Sequence, residues 1–146
     1  MPRPFRARYA REALSSARAR HAAAGYYGDL LSRRTRHDLG LIVSELVTNA
    51  VRHGDGDIDL LLDVRDGRIR GEVIDQGDGF ASALRQASPD DLGGRGLVIV
   101  DHLAQEWGVY DGSSHVWFHL PLDGATQQDG RPPLTRRPAP EALPDA

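Results

Sequence analysis

Three short runs of residues carry the chemistry that can be read from this chain. The first is Glu45-Leu46-Val47-Thr48-Asn49-Ala50-Val51-Arg52-His53. Glu45 and Asn49 are four apart, so on a helix they project from one face. A neutral amide oxygen such as that of Asn49 can ligate Mg2+, a hard cation that prefers oxygen donors and keeps several waters. A carboxylate one turn earlier, Glu45, can accept a proton from an attacking hydroxyl or water. The same pair also suits the polar shoulder of an amphipathic helix, bordering its apolar stripe. The second run is Asp75-Gln76-Gly77-Asp78-Gly79-Phe80. Gly77 and Gly79 permit positive φ and close backbone approach. Asp75, at a strand end, can accept a hydrogen bond from an exocyclic amine such as that of adenine. An ordinary Asp/Gly turn has the same composition, whereas an EF-hand is excluded because no ladder of acids leads to a terminal Glu. The third run, Gly93-Gly94-Arg95-Gly96-Leu97-Val98-Ile99-Val100, sets glycines directly before an apolar helix. Free N–H groups at a helix start, backed by its dipole, form an anion site. Arg95 adds a charge that reaches either a phosphate or solvent. A flexible linker before a helix reads similarly.

What is missing narrows the field. The chain has no Cys, which removes disulfides, thiol nucleophiles and cysteine-based zinc sites. It has no Lys either; all 18 basic residues are Arg. The Walker loop, the lysine of eukaryotic-type kinases, Schiff-base chemistry and Ser-x-x-Lys acylases are therefore excluded. No HExxH spacing occurs among the six His. No apolar run approaches the roughly 20 residues that span a bilayer, and the first residues carry no secretory apolar region. The expectation is a soluble cytoplasmic protein without a membrane partner. The net charge of −3 conceals an uneven distribution. Nine Arg fall in residues 1–36 against Glu12 and Asp29 alone. A solvated basic helix accounts for this, as does a docking face for an acidic protein. The acidic remainder would repel phosphates, so direct nucleic-acid binding is not expected.

The elements that must position these runs follow from periodicity. Residues 7–23 are rich in Ala and Arg without Gly or Pro, which predicts a helix ending near Gly25. Residues 35–53 repeat Leu39, Ile42, Val43, Leu46, Val47 and Ala50 at helical spacing. Gly54 suits a left-handed cap after that helix. The period then changes to two: Ile58, Leu60, Leu62 and Val64 alternate with Asp57, Asp59, Leu61 and Asp63. Asp66-Gly67 predicts a hairpin turn into a second strand through Ile69, Gly71 and Val73. A short helix over about 95–105 and strands over about 107–111 and 115–121 complete the order. The prediction is an α+β, two-layer sandwich, with about three helices on one face of a mainly antiparallel sheet. The domain spans residues 1–122. Residues 123–146, with five Pro among Gly, Gln and Arg, read as a disordered tail.

Taken in order, Glu45-x-x-x-Asn49-Ala50-x-x-His53, Asp75-x-Gly77-x-Gly79-Phe80 and Gly94-Arg95-Gly96-Leu97 resemble the motifs of GHKL ATPases. That superfamily includes gyrase, the ninety-kilodalton heat-shock chaperone, histidine kinases and MutL. The wording Glu-Leu-Val-Thr-Asn-Ala-Val-Arg-His-Gly is similar to the anti-sigma-factor serine/threonine kinases, and more narrowly to stand-alone regulatory ATP-binding proteins of actinomycetes. The resemblance covers roughly residues 8–122. It implies the GHKL, or Bergerat, fold with ATP and Mg2+ as cofactors. By resemblance, Asn49 coordinates Mg2+ and Glu45 is the general base. Asp75 bonds the adenine amine, and Gly77 and Gly79 shape the pocket wall. Gly94, Arg95, Gly96 and Leu97 line the phosphate end, and residues 81–93 form a lid.

The implied partners are a sigma factor and an anti-anti-sigma antagonist, phosphorylated on serine. In relatives a strand before helix one helps form a homodimer. Here Arg3-Pro4-Phe5-Arg6 is too short for one, which leaves the dimer an open expectation. Relatives also carry Gly-Lys-Thr or a similar run at the last hairpin, where this chain has Ser113-Ser114-His115. Two alternatives stand beside the kinase: a nucleotide-gated binding module without transfer activity, and a detached sensor-kinase catalytic domain.

Overall fold

A computed structural model describes residues 2–77, 96–110 and 115–122. Strand β1 (Phe5–Tyr9) leads into helix α1 (Leu14–Tyr26). A single 3-10 turn, Gly28–Leu30, joins α1 to helix α2 (Arg33–His53). Strands β2 (Ile58–Arg65) and β3 (Arg68–Ile74) follow. After them come helix α3 (Gly96–Leu103) and strands β4 (Glu106–Val109) and β5 (Val116–Pro121). The five strands form one antiparallel sheet in the order β1-β2-β3-β5-β4. The helices pack on one face of it, as the α+β prediction required.

The N-terminal segment corrects two expectations. Residues 5–9 are a strand, not the start of a helix, and the first strand anticipated to be absent is present. Phe5, Ala7 and Tyr9 pair with Leu62, Leu60 and Ile58, so this short run has period two and faces the core side. Arg6 and Arg8 take the other face, where Arg8 Nε bonds Asp59 Oδ1 at 2.7 Å. Alanine and arginine favour helix locally, but an open β2 edge lets five residues pair across the chain, and that tertiary pairing outweighs propensity. Helix α1 therefore begins seven residues later than composition suggests. It runs through Gly25, which lies in its last turn.

α1 has almost no apolar stripe. It buries Ser15, Ala19 and Ala23, small residues one turn apart that allow close approach to α2. Gly40 completes that approach: a Cβ there would lie 3.3 Å from Arg20 Cγ. α2 starts where Ser32 Oγ accepts from the Thr35 N–H at 3.1 Å, a side-chain cap. Its apolar stripe, Leu39, Ile42, Val43, Leu46, Val47 and Ala50, is at most 3% exposed. The β2–β3 turn has Asp66 at φ 54° and Gly67 at φ 74°, as the Asp-Gly signal predicts. On the core side of β3, Gly71 pairs with Phe118, and the Phe118 ring occupies the space a side chain would take. The second face of β2 is not the solvated face its alternation suggested. Leu61 and Asp63 are buried there with Glu72, Trp117 and His119.

Two outcomes follow from this packing. A Cβ on Gly71 would fall 2.2 Å from Phe118 Cζ, so Gly71→Ala is expected to destabilise the chain. Overpacking of this kind costs about 1–3 kcal/mol, measurable by urea denaturation. His119 is 3% exposed, and burial, then Arg68, hold its imidazole below the ordinary value against the opposing pull of Glu106. The unfolded chain then binds a proton that the folded chain refuses. Stability is complete above the unfolded pKa of about 6.5 and falls as the pH drops toward the lowered folded value. The loss between pH 7.5 and pH 5 should be smaller in His119→Gln than in the native chain, compared by thermal melts.

Candidate functional site

Chain direction brings the first two runs to one end of the molecule. α2 finishes at His53, and only residues 54–57 separate it from β2. The antiparallel register then sets Ile74 opposite Asp59, so β3 ends where β2 begins. Asp75 follows at once and meets the end of α2. α3 runs the other way: Ala104 and Gln105 connect its C-terminus to β4 at the far end of the sheet, where the Gln105 N–H donates to His119 O at 2.8 Å. The start of α3, Gly96, consequently faces the same end as the close of α2.

The junction of the two runs is tight. Gly54 has φ −91° and ψ −165°, an extended backbone and not the left-handed cap expected of it. Its glycine is required by space: a Cβ there would lie 2.3 Å from Asp75 Oδ2 and 2.6 Å from Ala50 O. The Gln76 N–H donates to Asp55 O at 2.8 Å, and the Gly77 N–H donates to Asp75 Oδ1 at 2.8 Å. Gly56, at φ +65°, lies against Gln76, whose Oε1 would be 2.6 Å from an added Cβ. Asp75 is 7% exposed. Gly77 supplies the backbone N–H that holds its carboxylate.

Along α2 the structure separates Glu45 from Asn49 by burial. Glu45 is half-buried, whereas Asn49 is 2% exposed. Asn49 is thus no polar shoulder, as its spacing had suggested. Its Nδ2 has no hydrogen-bond partner among the described residues. An unsatisfied buried amide costs about 1–3 kcal/mol. Five residues at 1.5 Å rise place Asn49 about 7.5 Å along the axis from Gly54. Asp75 and Asn49 therefore flank the last turn of one helix.

Sequence reasoning missed the hydroxyl cluster behind this turn. Thr48 Oγ1 donates to Ser16 Oγ at 2.9 Å, and Ser16 Oγ donates to Ser44 O at 3.1 Å. This ties α1 to the stretch of α2 that carries Glu45 and Asn49. Ser44 and Thr48, four apart, were the available signal; their partner Ser16 was hidden in a helix with no apolar stripe. Gly96 and Leu97 form the first turn of α3. Gly79, Gly94, Arg95, the 81–93 lid, Ser113-Ser114 and the 123–146 tail lie outside the described residues. His115 is described, and its Nε2 pairs with Glu72 Oε1 on the face of the sheet opposite the helices.

A family model described as the histidine kinase-like ATPase domain matches residues 4–119. No curated protein matches the chain. Among the described residues, no helix is long and apolar enough to cross a membrane.

If the buried amide serves a ligand, removing it should strengthen the empty fold. Asn49→Leu is expected to stabilise the ligand-free chain by about 1 kcal/mol or more. Magnesium–ATP should then no longer raise its melting temperature, as it should for the native chain. A variant that melts lower and still responds to the nucleotide would contradict this.

Proposed function

Because the chain belongs to the histidine kinase-like ATPase family, we propose that it is an ATP-dependent serine/threonine kinase of the anti-sigma-factor type. Membership supports ATP binding and a regulatory role. The observation that carries the reading further is the amide of Asn49, which has no partner among the described residues and is buried one helical turn after Glu45 and one before the Gly54–Asp75 junction.

The residues present fit a magnesium nucleotide. Asn49 would offer its amide oxygen to the metal and its N–H2, unpartnered among the described residues, to a phosphate oxygen. Asp75 offers a fixed carboxylate to the adenine amine. The opening turn of α3 offers backbone N–H groups to phosphates. Mg2+, when bound, neutralises phosphate charge. Glu45 would accept the proton of the substrate serine as its oxygen bonds the γ-phosphorus and the bridging oxygen departs with ADP. Such transfer needs chiefly positioning and electrostatic stabilisation. Helix amides and Arg95 are this chain's means of charge stabilisation, since it has no Lys.

The proposed substrate is an anti-anti-sigma antagonist, and the proposed regulated partner is a sigma factor in the cytoplasm. Unphosphorylated antagonist would hold the kinase and release the sigma factor; phosphorylation would reverse this. The Arg-rich first 36 residues are the proposed docking face. The support for this is the composition of that segment, nine Arg against Glu12 and Asp29. A homodimer remains part of the proposal, with β1 an edge strand of the sheet. One observation favours the alternative module that binds nucleotide without transfer. His115 is engaged by Glu72 on the face opposite the helices, away from the α2 and α3 ends proposed to hold the phosphates.

Radiolabelled ATP with a purified antagonist distinguishes the two. The kinase reading expects phosphoserine on the antagonist, with Glu45→Ala lowering the transfer rate by about 10²- to 10⁴-fold at little changed ATP affinity. Equal rates in the variant, or bound ATP with no phosphoserine, would remove it.

A further inference from the structure

We propose that Gly54 is a positioning residue that sets the base preference of the nucleotide site, by leaving the space that the Asp75 carboxylate fills. The inference rests on the reading of Asp75 as the partner of the adenine amine. It assigns to a second residue the fixing of that carboxylate.

Gly54 is not needed for its backbone shape, since φ −91° and ψ −165° suit any residue. Space is what singles it out. A Cβ would lie 2.3 Å from Asp75 Oδ2 and 2.4 Å from its Cγ. The carboxylate is gripped from two sides: the Gly77 N–H holds Oδ1 at 2.8 Å, and the bare Cα of Gly54 lies beneath Oδ2. Asp55 O fixes the intervening Gln76 N–H at 2.8 Å, and Gly56 makes room for the Gln76 side chain. Two loops from different parts of the chain therefore interlock around one carboxylate.

A carboxylate fixed in this way accepts from an amine and repels a carbonyl oxygen at the same position. A site built on one such group rejects the analogue that cannot donate. Adding a methyl at Gly54 would force Oδ2 from 2.3 Å to an ordinary contact near 3.4 Å, a displacement of about 1 Å. Displacement on that scale breaks hydrogen-bond geometry.

The test compares ATP with inosine triphosphate, in which a carbonyl replaces the amine, by calorimetry on the full chain. The native chain should prefer ATP. Gly54→Ala should lose roughly 10- to 100-fold in ATP affinity, the worth of one hydrogen bond to a charged group. Its affinity for inosine triphosphate should hardly change, so the preference collapses. A merely structural defect would weaken both nucleotides alike. The added methyl also approaches Ala50 O at 2.6 Å, so this variant is at risk of misfolding. In that event Gly54→Ala combined with Asp75→Ala supplies the readout. The double variant should melt above Gly54→Ala, because the carboxylate in conflict is gone; a double variant no more stable than the single one overturns the proposal. A native chain indifferent to the base overturns the reading of Asp75 and this inference with it. A preference lost in Asp75→Asn but kept in Gly54→Ala overturns this inference alone.

Discussion

The constraint on which the site depends is the short connection between α2 and β2. Residues 54–57 must turn the chain from a helix on one layer into a strand of the other. A link this short holds the helix end against the edge of the sheet layer. The β2–β3 hairpin then returns the chain to the same place, with a register fixed by its Asp-Gly turn and by the inward alternation of Ile58, Leu60 and Leu62. A one-residue slip would send those side chains to the wrong face and carry Asp75 away from Gly54. The apolar core of β2 and β3 thus holds the register that places a polar group.

That placement has an internal cost. Asn49 buries an amide without a described partner, and Asp38, earlier on the same helix, has its carboxyl raised above the ordinary range by burial, with Arg34 3.8 Å away in partial compensation. The stripe of six buried apolar residues on α2 offsets these groups. Fully burying one Val, Leu or Ile side chain contributes about 1.5–3 kcal/mol, the scale of one unsatisfied amide. The helix that buries these polar groups thus also carries a stripe of six buried apolar residues. α1, with alanines and a hydroxyl cluster in place of large apolar side chains, braces it.

Much of this was legible in the residues, and the exceptions share a cause. α2, Arg33–His53, was read to within two residues of its start, because six apolar residues at helical spacing followed by Gly54 leave little ambiguity. The β2–β3 hairpin was read for similar reasons, Asp66-Gly67 being a local signal. β1 was missed because five residues of weak alternation gain their strand state from β2, which lies some fifty positions later. The burial of Leu61, Asp63 and Glu72 was missed because period two marks two faces without saying that both are covered. The candidate residues Glu45, Asn49, Asp75 and Gly77 were legible by type and spacing. The reason for Gly54 was not. A glycine after a helix has two explanations, left-handed backbone or close approach, and only the neighbour across the gap distinguishes them.

The total absence of Lys gives these details a common meaning. A P-loop protein holds phosphates with a mobile ammonium, which adjusts to the ligand after it arrives. This chain has no such ammonium, so under the proposed function the described groups that would meet a nucleotide are ones held in place by the fold. Asp75 is fixed by the Gly77 N–H and the Cα of Gly54, Asn49 by a helix interior, and the opening amides of α3 by the direction of a helix that packs against α2. Fixed groups lose little entropy on binding, but they cannot correct an error of position. Under that proposal, the specificity of a contacting group such as Asp75 would depend on residues that touch no ligand: the glycines that leave room, the hydroxyls that join α1 to α2, and the strand pairs that keep register.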